Sequence, residues 1–390
     1  MLSTLSLRYG MNPYQDQARI LVDKGEFPFK ILNGSPGFIN FLDALNGWQL
    51  VRELRSQLGL PAAASFKHAS PAGAAVAMPL DDALKKAYWV DGRELSPLAT
   101  AYARARGADR ISSFGDFIAL SDEVDESTAE LIGPEVSDGI IAPSYSSPAL
   151  ARLRSKKKGS YIILQMDQDY EPPVMERRTV FGISLEQRRN DRPVGSDLLT
   201  ERPTQSKDIP AAAKTDLVLA LVTLKYTQSN SVCLTYHGQV IGSGAGQQSR
   251  IHCTQLAAGK ADRWYLPQHP YVLGLRFKKG LRRPACDNAI DQFLSGTTTE
   301  SEKALWPEIF ERVPEPLTEV EKHAWLQTLQ GVSLGSDAYF PFDDSIHRAA
   351  ASGVRYVVQP GGSVRDELSI RACDGYGMVM AFSRHRLFHH

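Results

Sequence analysis

Short apolar, β-branched runs alternate along this chain with segments of helical periodicity. YIILQ (161–165), SVCLTY (231–236), QVIGSG (239–244), RYVVQP (355–360) and MVMAF (378–382) predict strands. DDALKKAYW, ESTAELIG, TEVEKHAWLQTLQ and VRDELSIRACDGYG predict helices, the last closing on a Gly-Tyr-Gly that suits a helix C-terminus. Strands that alternate with helices predict an α/β fold. Residues 185–214 break the pattern: they are polar, carry three prolines and have little periodicity. A boundary near residue 200 is expected there, dividing the chain into 1–200 and 201–390.

The two halves look alike. AASFKHASPAGAAV aligns with LVTLKYTQSNSVCL, setting Lys67-His68 against Lys225-Tyr226. FGDFIALSD followed by GIIAP resembles DAYFPFDD followed by YVVQP. The order is kept and the spacing is not, so a duplication with an insertion in the second copy is expected.

Composition narrows the picture. The 390 residues are 43% hydrophobic and 23% charged, and 44 Lys and Arg balance 44 Asp and Glu. Bulk electrostatic capture of nucleic acid or of an anionic membrane is therefore not expected, and an anionic ligand must be held by a few placed groups. No apolar run is long enough for a membrane span or a signal peptide. Cys233, Cys253, Cys286 and Cys373 form no CxxC, which suits reduced structural thiols in a cytoplasmic protein.

FKHASPAGAA (66–75) sets a lysine beside a histidine among small residues. Neighbours on a strand face opposite ways, so both reach one ligand only where the strand ends. Ser70-Pro71-Ala72-Gly73 supplies the expected turn. Histidine suits a general base, and an ammonium suits stabilisation of developing negative charge. A solvated strand end is the structural alternative. GSGAGQQSRIHC (242–253) reads as a glycine-rich loop entering a helix, either a phosphate cradle or a tight hairpin end; its spacing is neither GxGxxG nor that of a P-loop. PGGSVRDE (360–367) holds a capping-box pattern, Ser363 with Asp366. In LRYGMNPYQ (7–15), Arg8 suits a phosphate and Tyr9 a ring. H-x-E, C-x-E, PCxxC and HExxH are absent, so zinc catalysis has no sequence support.

Taken in order, LRYGMNPYQ, FKHASPAGAA, SSFGDFIALSD, VSDGIIAP, KYTQSNSV, GAGQQSRIHC, SDAYFPFDD, QPGGS and RLFHH resemble the transformylase half of the AICAR formyltransferase/IMP cyclohydrolase family. The resemblance covers the chain from about residue 5. It implies two tandem cytidine-deaminase-like α/β/α subdomains without zinc, a homodimer with composite sites, and formyl transfer from 10-formyltetrahydrofolate to aminoimidazole carboxamide ribotide (AICAR). It implies catalysis by Lys67 and His68. Ribotide contacts carry over to Arg8, Tyr9, Gly115, Asp138, Asn230, Arg250, Tyr339, Pro341 and Arg386, with Tyr339 standing where relatives commonly have Phe. Folate contacts carry over to Ile251, Asn288, Asp344, Ser363 and Val364. A potassium ion near KYTQSNS is implied for some relatives. The cyclohydrolase half has no counterpart in the sequence, so a separate IMP cyclohydrolase is expected to close the ring. The competing readings are a non-catalytic purine-ribotide binding protein, which would not need an intact Lys-His pair, and a zinc-free hydrolase, which would lack a group to activate water.

Overall fold

The computed structural model describes residues 3–22 and 25–390. The first half contains β1 (Phe29–Asn33), α1 (Phe38–Leu58), β2 (Ala62–Lys67), β3 (Ser70–Val76), α2 (Pro97–Gly107), β4 (Asp116–Leu120), α3 (Glu126–Ile132), β5 (Ser137–Ala142), α4 (Ser147–Ser155) and β6 (Ile162–Met166). The second half contains α5 (Ala211–Lys225), β7 (Val232–Tyr236), β8 (Gln239–Gly244), α6 (Arg250–Tyr265), β9 (Val332–Ser336), α7 (Asp344–Ala350), β10 (Val354–Gln359), α8 (Asp366–Gly375) and β11 (Val379–Phe382).

These eleven strands form one sheet, in the order β11-β10-β9-β7-β8-β3-β2-β4-β5-β6-β1. Each half therefore repeats one unit: a helix, an antiparallel hairpin, a second helix, and three parallel strands joined by helical crossovers. The halves meet where β3 runs antiparallel to β8, with Gln239 opposite Ala75. The duplication read from sequence is present, but its register differs. Lys67 ends a strand whereas Lys225 ends a helix, so the hairpin β2–β3 corresponds to β7–β8. The expected insertion occupies residues 266–331, between α6 and β9, and has its own small core of Leu266, Val272, Phe293, Leu294, Trp306 and Phe310.

Strand alternation explains the layers. Ala63, Ile118, Ile140, Ile163, Leu234 and Val357 point to one face, beneath α2 and α6. Ala64, Phe117, Ile141, Leu164, Cys233 and Val358 point to the other, beneath α1 and α5. Both cores contain residues of both halves. Helix α5 is apolar almost all round because it is enclosed on every side from Asp216 to Lys225. The glycines of β3 and β8 serve packing: a Cβ at Gly73 would lie 2.1 Å from the Ala105 carbonyl oxygen, and one at Gly242 2.1 Å from that of Ala257. The run GSGAG is thus mostly strand, with Gly242 and Gly244 admitting α6 and Gly246 in the loop beyond, at a φ of 65°.

The polar stretch 185–214 is not wholly irregular. Met175–Val180 and Ile183–Arg188 form a separate antiparallel hairpin, exposed along its whole length. No helix of the described residues is long and apolar enough to cross a membrane. The four cysteines are free and buried.

Candidate active site at one edge of the sheet

Lys67 pairs with Ser70 at the end of the β2–β3 ladder, leaving His68 and Ala69 as a two-residue turn. Both have positive φ, 55° and 57°. The expected turn at Ser70-Pro71-Ala72-Gly73 is therefore displaced: those residues belong to β3. Two positive φ values are the demand of a type I′ hairpin, normally met by Asn-Gly, and each costs a residue with a Cβ about 1 kcal/mol or more. The compensating contact comes from α1. Asp43 is buried, and its Oδ1 accepts the Ala69 N–H at 2.6 Å. Burial raises the Asp43 pKa, opposed by that hydrogen bond and by the charge of His68. His68 is exposed at the tip. The Lys67 Nζ donates to the Phe114 carbonyl at 2.6 Å, beside Gly115, whose φ is 80°.

The second half supplies the facing wall. The Gln228 N–H donates to Ser70 Oγ at 3.3 Å, joining TQSN to the hairpin tip. Asn230 Oδ1 accepts from Arg250 Nη2 at 3.1 Å. Arg250, at the start of α6, is buried; its Nη1 donates to the Ser231 carbonyl at 2.7 Å and to the Asp337 carboxylate. Asp337 is fully enclosed and also accepts from Ser229 Oγ at 2.6 Å and the Ser231 N–H at 3.0 Å. A buried ion pair is tolerated when its remaining lone pairs are satisfied, as here. The C-terminal segment runs into the same cluster: the Leu387 N–H donates to the Asp337 carbonyl at 2.9 Å, and Ser229 exchanges bonds of 2.9 and 3.0 Å with His389.

Strand polarity explains why these groups meet. The tip of β2–β3 lies at the same edge as the carboxyl ends of β9, β10 and β11, because β3 and β8 are antiparallel. Open α/β sheets bind ligands at the carboxyl ends of their strands. Of the remaining candidates, Asp138 is the second residue of β5, pairs with Lys157 at 2.8 Å and acts on Asp43 through space. Tyr339 is half exposed after β9, the next residue Phe340 is buried, and Pro341 follows. Asp344 opens α7, with its Oδ1 accepting the Ser345 N–H at 2.7 Å. The Arg365 guanidinium lies 4.7 Å from the centre of the Phe342 ring, so the Ser363-Val364 turn is drawn against the loop that carries Asp344. Arg386 covers Phe388 at 4.7 Å, and Ile251 is partly buried next to Arg250. Arg8, 5.9 Å from the Tyr9 ring, sits at the tip of an N-terminal hairpin. Asn288 is exposed on the Arg283–Ser295 helix of the insertion. No described contact joins Arg8, Tyr9 or Asn288 to the rest.

The capping-box reading at Ser363 is half met. Asp366 Oδ2 accepts from the Gly362 and Ser363 N–H groups at 2.6 and 3.1 Å, whereas Ser363 Oγ accepts from Arg365. Three residues of the site escaped the sequence reading: Asp43, Asp337 and Ser229. The signal for Asp43 was an acid in the apolar stretch FINFLDALNGW. Among the described residues, no group of three or more His, Cys, Asp or Glu side chains could hold a metal ion.

A lysine and a histidine on a clamped turn, joined through Ser70 to the segment that carries a buried Arg–Asp pair, form a candidate polar site at one sheet edge of a duplicated α/β/α protein. Residues 2–260 match the family described as AICARFT/IMPCHase bienzyme, and the chain belongs to that family. The Bifunctional purine biosynthesis protein PurH of Ruegeria pomeroyi is 30% identical over 395 residues, covering 99% of this chain and 59% of that protein. The proteins of the same name from Roseobacter denitrificans and Streptococcus agalactiae are also 30% identical, over 99% of this chain and 60% and 59% of theirs. The chain thus spans about three fifths of the length of the curated relatives it matches.

Proposed function

We propose that this chain transfers the formyl group of 10-formyltetrahydrofolate to the 5-amino group of AICAR, with Lys67 and His68 as the catalytic residues. The observation that carries this reading is the clamped turn: Asp43 fixes Ala69, and with it the position of His68, at an edge walled by Asn230 and Arg250. The ribotide amine is a poor nucleophile because the ring carboxamide withdraws its lone pair. As nitrogen attacks the formyl carbon, His68 takes the amine proton. The Lys67 ammonium stabilises the tetrahedral oxyanion or protonates the departing folate nitrogen; the intermediate then collapses, the C–N bond to folate breaks, and the folate nitrogen leaves carrying a proton from Lys67 or the one His68 took from the amine. Arg250 is committed to Asp337 and Ser231, so its part is to orient Asn230 toward the ribotide.

The reading extends to the other candidates. Arg8, Tyr9, Gly115, Asp138, Tyr339, Pro341 and Arg386 contact the ribotide, and Ile251, Asn288, Asp344, Ser363 and Val364 the folate. Arg8, Tyr9 and Asn288 lie apart from the central cluster, which fits a site completed by a second copy of the chain. The exposed hairpin supports that dimer: Phe181 at its tip is wholly exposed, and Val180, Ile183 and Leu185 are exposed beside it. Each half is a cytidine-deaminase-like subdomain, with the division near residue 200; the shared strand order and crossovers support this.

Mixing the protein with AICAR and 10-formyltetrahydrofolate and following tetrahydrofolate by absorbance tests the proposal. Formylated ribotide should accumulate without conversion to inosine monophosphate until a separate cyclohydrolase is added. Binding of the ribotide without turnover would favour the binding-protein alternative instead.

A further inference from the structure

The internal two-fold gives the Lys67-His68 tip a true counterpart at the opposite sheet edge. There β7 and β8 are joined by His237 and Gly238, with φ of 48° and 76°. Asp216 of α5 accepts both N–H groups, at 3.0 and 2.7 Å. Asp216 lies five residues after Ala211 at the start of α5, as Asp43 lies five after Phe38 at the start of α1. Tyr236-His237 therefore stands where Lys67-His68 stands, clamped in the same way.

A cavity of about 370 Å³ opens at this second tip, lined by Tyr236, His237, Trp264, Tyr265, Trp325 and Arg104 among others. That is within the size range of small-molecule pockets. Its rings are pre-stacked: Tyr236 on His237 with centroids 4.1 Å apart, and Tyr265 on Trp325 at 5.0 Å. The buried Arg104 guanidinium is spoken for, its nitrogens donating to the Met78 carbonyl at 2.8 Å, to Gln239 Oε1 at 2.9 Å and to the Pro79 carbonyl. It contributes positive potential but is not arranged to seize a phosphate. Asp81 also lines the cavity and uses Oδ1 to cap the Asp82–Ala87 helix at 2.8 Å. Partial desolvation at the cavity wall and the Arg104 charge push the His237 pKa down, so a neutral imidazole presents one donor and one acceptor there.

We propose that this cavity is a second small-molecule site, which binds a neutral, amino-substituted nitrogen heterocycle against its aromatic walls. The flat rings favour a planar ligand. An exocyclic amino group would donate to the Asp81 carboxylate, and a ring nitrogen would pair with His237. The Asp81 charge disfavours an anion. Tyr236 offers no ammonium where Lys67 stands, so the site binds without transferring a group.

The test uses adenine as the probe and reads binding, so its outcome is independent of formyl transfer. Adenine is titrated into the full chain, with tryptophan fluorescence and ligand-observed NMR as readouts. Saturable binding with a Kd at or below about 1 mM is expected. It should weaken by about tenfold or more in His237→Ala and in Trp325→Ala, stay unchanged in His68→Ala, and be weaker for hypoxanthine, which lacks the amino group. His237 is exposed, so its variant should keep the native circular dichroism spectrum and melting temperature. No saturable binding, binding that both substitutions leave intact, or binding lost in His68→Ala instead would overturn the proposal.

Discussion

His68 and Ala69 hold a backbone conformation that neither side chain favours, and one enclosed carboxylate keeps them there. On the proposed mechanism, His68→Ala should lower kcat for formyl transfer by about 100-fold to 10,000-fold with a small change in the KM for ribotide, because a positioned general base acts in the chemical step. Asp43 touches no reacting atom and is a positioning residue. Asp43→Ala should lower kcat and leave the KM nearly unchanged, while Asp43→Asn, which keeps an acceptor for the Ala69 N–H, should recover most of the loss. Steady-state kinetics on the three variants decides this; equal kcat in the Ala and Asn variants would refute the clamp. Lys67 and His68 were legible in sequence because small residues isolate them. Asp43 was not, since its partner is a backbone amide 26 residues away and leaves no local pattern.

Helices and hairpins carry the next level of control. Lys225, which the sequence alignment set against Lys67, is a tie between helices: its Nζ reaches Glu53 of α1 at 2.8 Å, and the Tyr226 hydroxyl donates to the same carboxylate at 2.7 Å. Lys225→Ala would leave a mostly buried carboxylate without its counter-charge and should cost about 3–5 kcal/mol in urea unfolding. The pH dependence of stability has a signature at Asp216, whose pKa burial raises from 3.8 to about 7. The folded state then binds this proton more tightly than the unfolded chain, so the contribution is full below 3.8 and lost as pH rises through about 7. From about pH 5 to about pH 8 the wild type should lose more melting temperature than Asp216→Asn, as calorimetry would measure. The five strands and four helices predicted from apolar runs and periodicity are present. The turn of β2–β3 was misplaced, because proline and glycine drew it toward Ser70–Gly73 while long-range clamping set it at His68-Ala69. The 175–188 hairpin was missed for the opposite reason: exposed on both faces, it shows no alternation.

On the scale of the whole molecule, the duplication was visible as repeated words, yet the words misaligned. A shared lysine before an aromatic or histidine ring matched a helix end to a strand end, and the insertion at 266–331 removed the spacing that would have corrected it. The exposed hairpin predicts that Phe181→Glu will shift the protein toward monomer in analytical ultracentrifugation and reduce activity with it. An unchanged sedimentation coefficient would remove the hairpin from the interface. Activity should also survive prolonged incubation with EDTA, since the chemistry proposed uses an imidazole and an ammonium.

The β3–β8 seam bears on how this chain could be taken apart. Few backbone bonds cross it, yet both apolar layers run through it without a break. Cut near residue 200, each fragment would carry a freshly bared strand flanked by unsealed greasy surface on both sides. Such an edge is adhesive. Co-produced fragments should zip together into a working split protein, whereas either one alone should clump.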